Sequence, residues 1–208
     1  MIPEHRERKS TGRRSAVLAA MLVAWLLPSM ALGFDAADSL RKGAFVFSLQ
    51  AGGGSLNQAL EEHDHGSWYV SFLPRLTYVP IDPIGSGWLR GTLEVGAEGW
   101  LQFFRAPVET AAEGLKAVAR YDFLGFGRVV PYAEVLVGAG YKNFRPWDNP
   151  TSFTFVLEAG VGLSYMITPS IAITGGYRFQ HLSNAGIGHR NRGYNYDGGV
   201  VGVSIFFP

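Results

Sequence analysis

The sequence predicts an all-β fold, an eight-stranded antiparallel outer-membrane β-barrel. Three observations lead to it. Eight segments of 9–17 residues alternate between an apolar face and a small or polar face, the lengths and the period of two expected of tilted membrane strands. The chain is rich in glycine (27 residues) and aromatics (13%). Beyond residue 33, no run of about 18 uninterrupted apolar residues is present to form a membrane helix.

The elements follow in order. Residues 1–33 read as a signal peptide. A polar, basic stretch (Arg6, Arg8, Lys9, Arg13, Arg14) precedes an apolar run of 12 residues, Ala16 to Leu27, that Pro28 ends. The run is too short to span a bilayer as a helix, and Ala31 and Gly33 suit the small positions before a cleavage site. Residues 34–208 form the barrel, one domain of about 175 residues. Its strands are expected near 42–50, 67–79, 88–104, 114–124, 128–142, 152–167, 170–182 and 194–207. Turn signals separate them: Gly52-Gly53-Gly54, Pro80 to Gly87, Pro107 to Glu113, Gly125 to Gly127, Pro146 to Pro150, Thr168-Pro169, and the Asn/Gly-rich stretch after Ser183.

Parity assigns the faces. Over 152–166, Phe153, Phe155, Leu157, Ala159, Val161, Leu163 and Tyr165 oppose Thr154, Glu158, Gly160, Gly162 and Ser164. The apolar set faces lipid and the polar set faces inward. The same parity over the other strands turns Arg75, Arg90, Lys116, Arg120 and Arg178 inward, along with Glu94, Glu98, Asp122, Glu134 and Glu158. Eight strands leave an interior that side chains roughly fill. The expectation is an ion-paired plug without a channel, in which these carboxylates are salt-bridge partners and not a catalytic pair. The last strand ends in Ile205-Phe206-Phe207-Pro208, similar to the C-terminal signal read by the barrel-assembly machinery.

With no cysteine, disulfides and thiolate metal sites are excluded. A formal net charge of +1 argues against nucleic acid as a partner. His63-Asp64-His65 resembles a metal clip, but it sits in a polar stretch with Glu61 and Glu62 and reads as a solvated loop. Gly52-Gly53-Gly54 lacks the lysine of a phosphate loop and reads as a turn. No metal and no cofactor are expected.

Chemistry concentrates near the C-terminus. Arg178 and Gln180 belong inside, so Tyr177, Phe179, His181 and Ser183 share the lipid-facing side. His181 and Ser183 are two residues apart, roughly 6.5–7 Å along a strand. Side chains that tilt together bring an imidazole to a hydroxyl, the pairing that acyl transfer uses. Counting back in twos from Val201 reaches Asp197 and Asn195 on the same side of the last strand. Either could hold the imidazole in the required tautomer. Backbone N–H groups and amides of Asn184, Ala185, Gly186 and Asn191 could line an oxyanion hole. His189, Arg190 and Arg192 lie beside them and could meet phosphates, or belong to a solvated loop.

The run His181-x-Ser183-Asn184-Ala185-Gly186, followed by Asn191-x-Gly193-x-Asn195, resembles the signature of the lipid A 3-O-deacylases, the PagL-type acyloxyacyl hydrolases. The resemblance is sequence-specific over about 181–195. It implies an outer-membrane esterase that removes the 3-linked acyl chain from the lipid A of lipopolysaccharide without a metal. His181 would be the base and Ser183 the nucleophile, with Asn195 as third member and Asn184, Gly186 and Asn191 at the oxyanion hole. The best-known members carry glutamate where this chain has Asn195, and Asp197 is the alternative third member. Lipopolysaccharide, membrane lipid and the barrel-assembly machinery are the expected partners, and a homodimer is left open. The competing readings are a non-catalytic structural or lipopolysaccharide-binding barrel and, behind it, a porin.

Overall fold

The computed structural model describes residues 35–57, 60, 67–105, 109–143, 151–187 and 190–208. The expected signal peptide, the His63-Asp64-His65 loop, the Pro146 to Pro150 turn and His189 lie outside them.

Eight strands close into one antiparallel barrel in sequence order. They are β1 (Phe45–Leu56), β2 (Trp68–Tyr78), β3 (Gly91–Arg105), β4 (Thr110–Phe123), β5 (Val129–Lys142), β6 (Phe153–Thr168), β7 (Ile171–Ser183) and β8 (Tyr194–Phe207). β8 closes on β1 from Phe45↔Phe207 to Leu56↔Tyr196, so no edge is left unpaired.

Three boundaries differ from those expected. Gly52-Gly53-Gly54 is not a turn but the second half of β1. The ring of Tyr69 lies inside the barrel at this level: a Cβ on Gly54 would stand 2.8 Å from its Cε1, and one on Gly198 2.5 Å from its hydroxyl. These glycines make room for an aromatic. β4 starts at Thr110, before the expected 114. Residues 87–89 form a short 3-10 turn, so β3 starts at Gly91. Between β2 and β3 the ladder lapses from Phe72↔Leu101 to Arg75↔Glu98, where Pro74 has no N–H to donate.

The interior is layered. At the end that holds both termini of the barrel, a 3-10 turn over Ala36–Asp38 packs with Leu40, Val46, Val79, Leu124, Val130, Met166, Ala172 and Phe206. The middle is ionic. Glu98 meets Lys116 at 2.7 Å and Arg178 at 2.9 Å, and accepts from Arg75 Nε at 2.8 Å. Glu134 joins Arg75 and Arg178, each at 2.8 Å. Glu158 joins Lys116 at 2.9 Å and accepts from Gln180 at 2.8 Å. Arg120 pairs with Asp122 and lies 3.7 Å over the Tyr132 ring. At the opposite end Leu56, Tyr69, Leu73, Trp100, Phe104, Val156, Leu182, Tyr196 and Val200 form a second apolar cluster.

One expected inward charge is misplaced. Arg90 lies in the β2–β3 connection, half-exposed, and pairs with Asp35 at 2.9 Å. The proline- and glycine-rich segment ahead of β3 breaks the alternation on which its inward placement relied. Partial burial raises the Asp35 pKa, but the bonds from Arg90 and the Ala37 N–H outweigh it and leave the carboxyl below its usual range.

The outer wall carries two aromatic levels. At the end away from the barrel's termini, the upper end, Tyr141, Phe153 and Phe155 meet edge to face, with ring centroids 5.7 Å and 5.0 Å apart. Phe45–Tyr78 and Tyr121–Phe123 mark the other. Such girdles sit at the two faces of a bilayer.

Candidate functional site

β7 reaches the upper aromatic level with its alternation intact. Arg178, Gln180 and Leu182 are buried, while Tyr177 is exposed and Phe179, His181 and Ser183 are half-buried on the opposite face. Ser183 stands opposite Phe155 of β6, and His181 stands between Leu157 of β6 and Asn195 of β8. The β7–β8 register runs unbroken from Ile171↔Ile205 to Leu182↔Tyr194, so parity survives Gly198-Gly199. Directly opposed residues in an antiparallel pair have Cβ atoms about 4.5–5.5 Å apart. That spacing lets side chains of ordinary length meet.

His181 and Asn195 do meet. Nδ1 lies 2.8 Å from Oδ1. An amide oxygen only accepts, so Nδ1 carries the hydrogen and the Nε2 lone pair is left available. Among the described residues Ser183 Oγ has no hydrogen bond to His181. The Ser183 carbonyl accepts from Thr154 Oγ1 at 3.2 Å, which ties the end of β7 to β6. Alternation marks Thr154 only as inward-facing. Its hold on Ser183 depends on the β6–β7 register, which no local pattern carries.

Asp197 sits one pair below Asn195, opposite Phe179. Its carboxylate is engaged elsewhere: Tyr177 donates its hydroxyl to Oδ1, and Asn57 Nδ2 donates to Oδ2 at 2.6 Å.

After Ser183 the chain turns outward. Ala185 and Gly186 both have positive φ, 51° and 80°. Asn184 is fully buried. Its Oδ1 accepts from Gly186 N at 3.0 Å and its Nδ2 donates to the Arg190 carbonyl at 2.9 Å. Its backbone N–H donates to Asn191 Oδ1 at 2.9 Å. Two asparagines thus clasp the start of the β7–β8 loop to its end. Arg190 is exposed and Arg192 half-buried beside it, its guanidinium 5.9 Å from the Tyr194 ring centroid.

Gly193 approaches His181 closely: a Cβ there would collide with Cε1 and lie 3.0 Å from Nε2. No group of three or more His, Cys, Asp or Glu able to hold a metal occurs among the described residues.

The arrangement offers an oriented imidazole and a hydroxyl on the same strand face, beside a turn whose Asn184 and Gly186 N–H groups are bonded within the turn itself. Imidazole and hydroxyl are the base and nucleophile that acyl transfer requires.

Comparison with known proteins narrows the reading. The family model described as Lipid A 3-O-deacylase (PagL) matches residues 75–204. No curated protein matches the chain. Among solved structures, "Crystal structure of the outer membrane enzyme PagL" superposes with a TM-score of 0.56 at 18% identity, over 77% of this chain and 99% of that one. "Crystal structure of Neisserial surface protein A (NspA)" superposes with a TM-score of 0.53 at 18% identity, over 79% of this chain and 98% of that one. At such identities the two superpositions speak for the barrel alone.

Proposed function

The chain belongs to the lipid A 3-O-deacylase family, and on that premise we propose that it removes the 3-O-linked acyl chain of lipid A with His181 and Ser183 on the lipid-facing barrel wall. Family and fold make it an outer-membrane β-barrel and a lipid A deacylase, a carboxylic ester hydrolase. The residues and their location are our reading. The observation that carries it is the 2.8 Å contact from His181 Nδ1 to Asn195 Oδ1, one pair away from a hydroxyl on the same face.

Asn195 holds the neutral imidazole with hydrogen on Nδ1, so Nε2 can take the Ser183 proton. Hydroxyl and imidazole need to close up only when substrate arrives, as resting-state geometry at such pairs is often long. Ser183 Oγ attacks the ester carbonyl carbon. The Asn184 and Gly186 N–H groups are already donated to Asn191 Oδ1 and Asn184 Oδ1 and hold the turn in shape, so of the expected oxyanion-hole residues it is Asn191, through its side-chain N–H groups, that meets the oxyanion as it forms. The intermediate collapses, the bond from the carbonyl carbon to the sugar oxygen breaks, and the imidazolium returns its proton to that oxygen. Water, deprotonated by His181, then releases the fatty acid from Ser183.

The level of the site suits this substrate. Ser183 stands opposite Phe155 in the upper aromatic belt, where sugar headgroup and acyl chain meet. Exposed Leu157 and Val161 with half-buried Phe179 continue an apolar strip below it, along which the acyl chain lies. Residues 1–33 direct export, and the C-terminal strand is handed to the barrel-assembly machinery.

Mass spectrometry of lipid A tests the activity directly. Cells expressing the protein should yield lipid A lighter by one 3-linked hydroxyacyl chain, and cells expressing Ser183→Ala should not. Unchanged lipid A in both would overturn the assignment.

A further inference from the structure

We propose that Gly193 is a positioning residue for His181: the bare α-carbon of the β7–β8 loop is the surface on which the imidazole lies, and it holds the ring on Asn195. This rests on the reading of His181 as the general base.

The reason for a glycine at 193 is not the backbone. Gly186, in the same loop, has a φ of 80°, and a Cβ there would meet nothing within 4 Å. Gly186 is glycine for conformation. Gly193 is the reverse case. Its φ lies outside the left-handed range, so an L side chain would be unstrained. The space is what is missing. An added Cβ would collide with Cε1 of His181 and stand 3.0 Å from Nε2 and 3.4 Å from Nδ1. Its three nearest neighbours are all atoms of this one imidazole.

Cε1 is the carbon between the two ring nitrogens. It is the far end of a flexible side chain, so a methyl group pressed against it is relieved by moving the imidazole, and that movement carries Nδ1 off Asn195. Gly193 lies two residues before Asn195, so one short stretch carries both the orienting amide and the seat. Asn191, two residues earlier still, clasps Asn184 and fixes the height at which the stretch passes the ring. The glycine therefore sets the position of the imidazole, and the amide sets its tautomer.

The test is Gly193→Ala, purified and assayed on lipid A in detergent micelles beside His181→Ala. Barrel assembly is followed by heat-modifiable gel mobility. We expect an assembled barrel with kcat lowered about 10²-fold and KM within about twofold, since a displaced base weakens the transition state more than ground-state binding. Because the ring is held on Asn195, the effects of Gly193→Ala and Asn195→Ala should fall well short of additive, a coupling that a purely structural glycine would not produce. Wild-type kcat for Gly193→Ala alongside an inactive His181→Ala overturns this inference and leaves the function intact. An active His181→Ala overturns both. If Gly193→Ala does not assemble, the double variant with His181→Gly decides. It should assemble as His181→Gly does, because the ring it would strike is gone. Failure of that double variant would mean the loop itself needs glycine, and the proposal falls.

Discussion

The contact of His181 is to an amide, not a carboxylate, and in the proposed mechanism the chemistry turns on that difference. In that mechanism Asn195 Oδ1 would fix the tautomer as a carboxylate does, but would carry no charge to stabilise an imidazolium formed on deprotonation of Ser183. Asn195→Ala should lower the deacylation rate, on the order of 10²-fold, the low end of what general-base assistance contributes. Asn195→Glu should keep or raise it. Asp197→Asn should change little, since Tyr177 and Asn57 already hold that carboxylate. Rates of these three variants at equal barrel levels separate Asn195 from Asp197 as the third member. A large loss in Asp197→Asn with a silent Asn195→Ala would reverse the assignment. Ser183→Ala and His181→Ala should each abolish deacylation without loss of folded barrel, because both side chains stand on the outer face and support no core. Full activity in either would end the serine-esterase reading.

The strands are shaped by glycines that face interior tyrosines. Gly54 and Gly198 flank the Tyr69 ring, and Gly162 and Gly176 flank that of Tyr132. At Gly176 an added Cβ would approach the Val161 carbonyl to 2.8 Å and strike the Tyr132 hydroxyl. Backbone on one side and a rigid ring on the other leave little room to relax. Gly176→Val should therefore destabilise the barrel by about 1–3 kcal/mol, the usual cost of overpacking. Urea titration of the gel-shift transition measures it, and a midpoint equal to wild type would refute the packing argument. Gly193 belongs to the same economy of space, displaced from the interior to the wall.

Across the whole molecule, the interior acts as a bolt. Glu98, fully buried, receives Arg75, Lys116 and Arg178 from three other strands. Removing one partner of a buried ionic group costs about 3–5 kcal/mol, because the remaining charges stay desolvated without compensation. Glu98→Gln should lower barrel stability by that order while leaving the wall chemistry intact. Activity per folded barrel checks the second half and thermal unfolding the first. The filled interior also predicts no steady ion conductance in planar bilayers. A stable open-channel current would contradict it.

Alternation by itself determined the fold class, the strand count and which residues point inward, because lipid outside and a narrow core inside impose opposite demands on successive residues. The same parity puts His181, Ser183 and Asn195 on one face. It failed where the reason for a residue lies across the barrel. Gly52-Gly53-Gly54 read as a turn, since a glycine that admits a distant Tyr69 ring looks the same in sequence as one that bends a chain. Arg90 read as interior, since parity says nothing of where a strand begins. Only the tertiary structure decided between Asn195 and Asp197 for contact with the imidazole, gave Thr154 its hold on Ser183, and brought Gly193 under the ring. Each of these depends on the register between neighbouring strands, and register is a property of the closed sheet that no single strand contains.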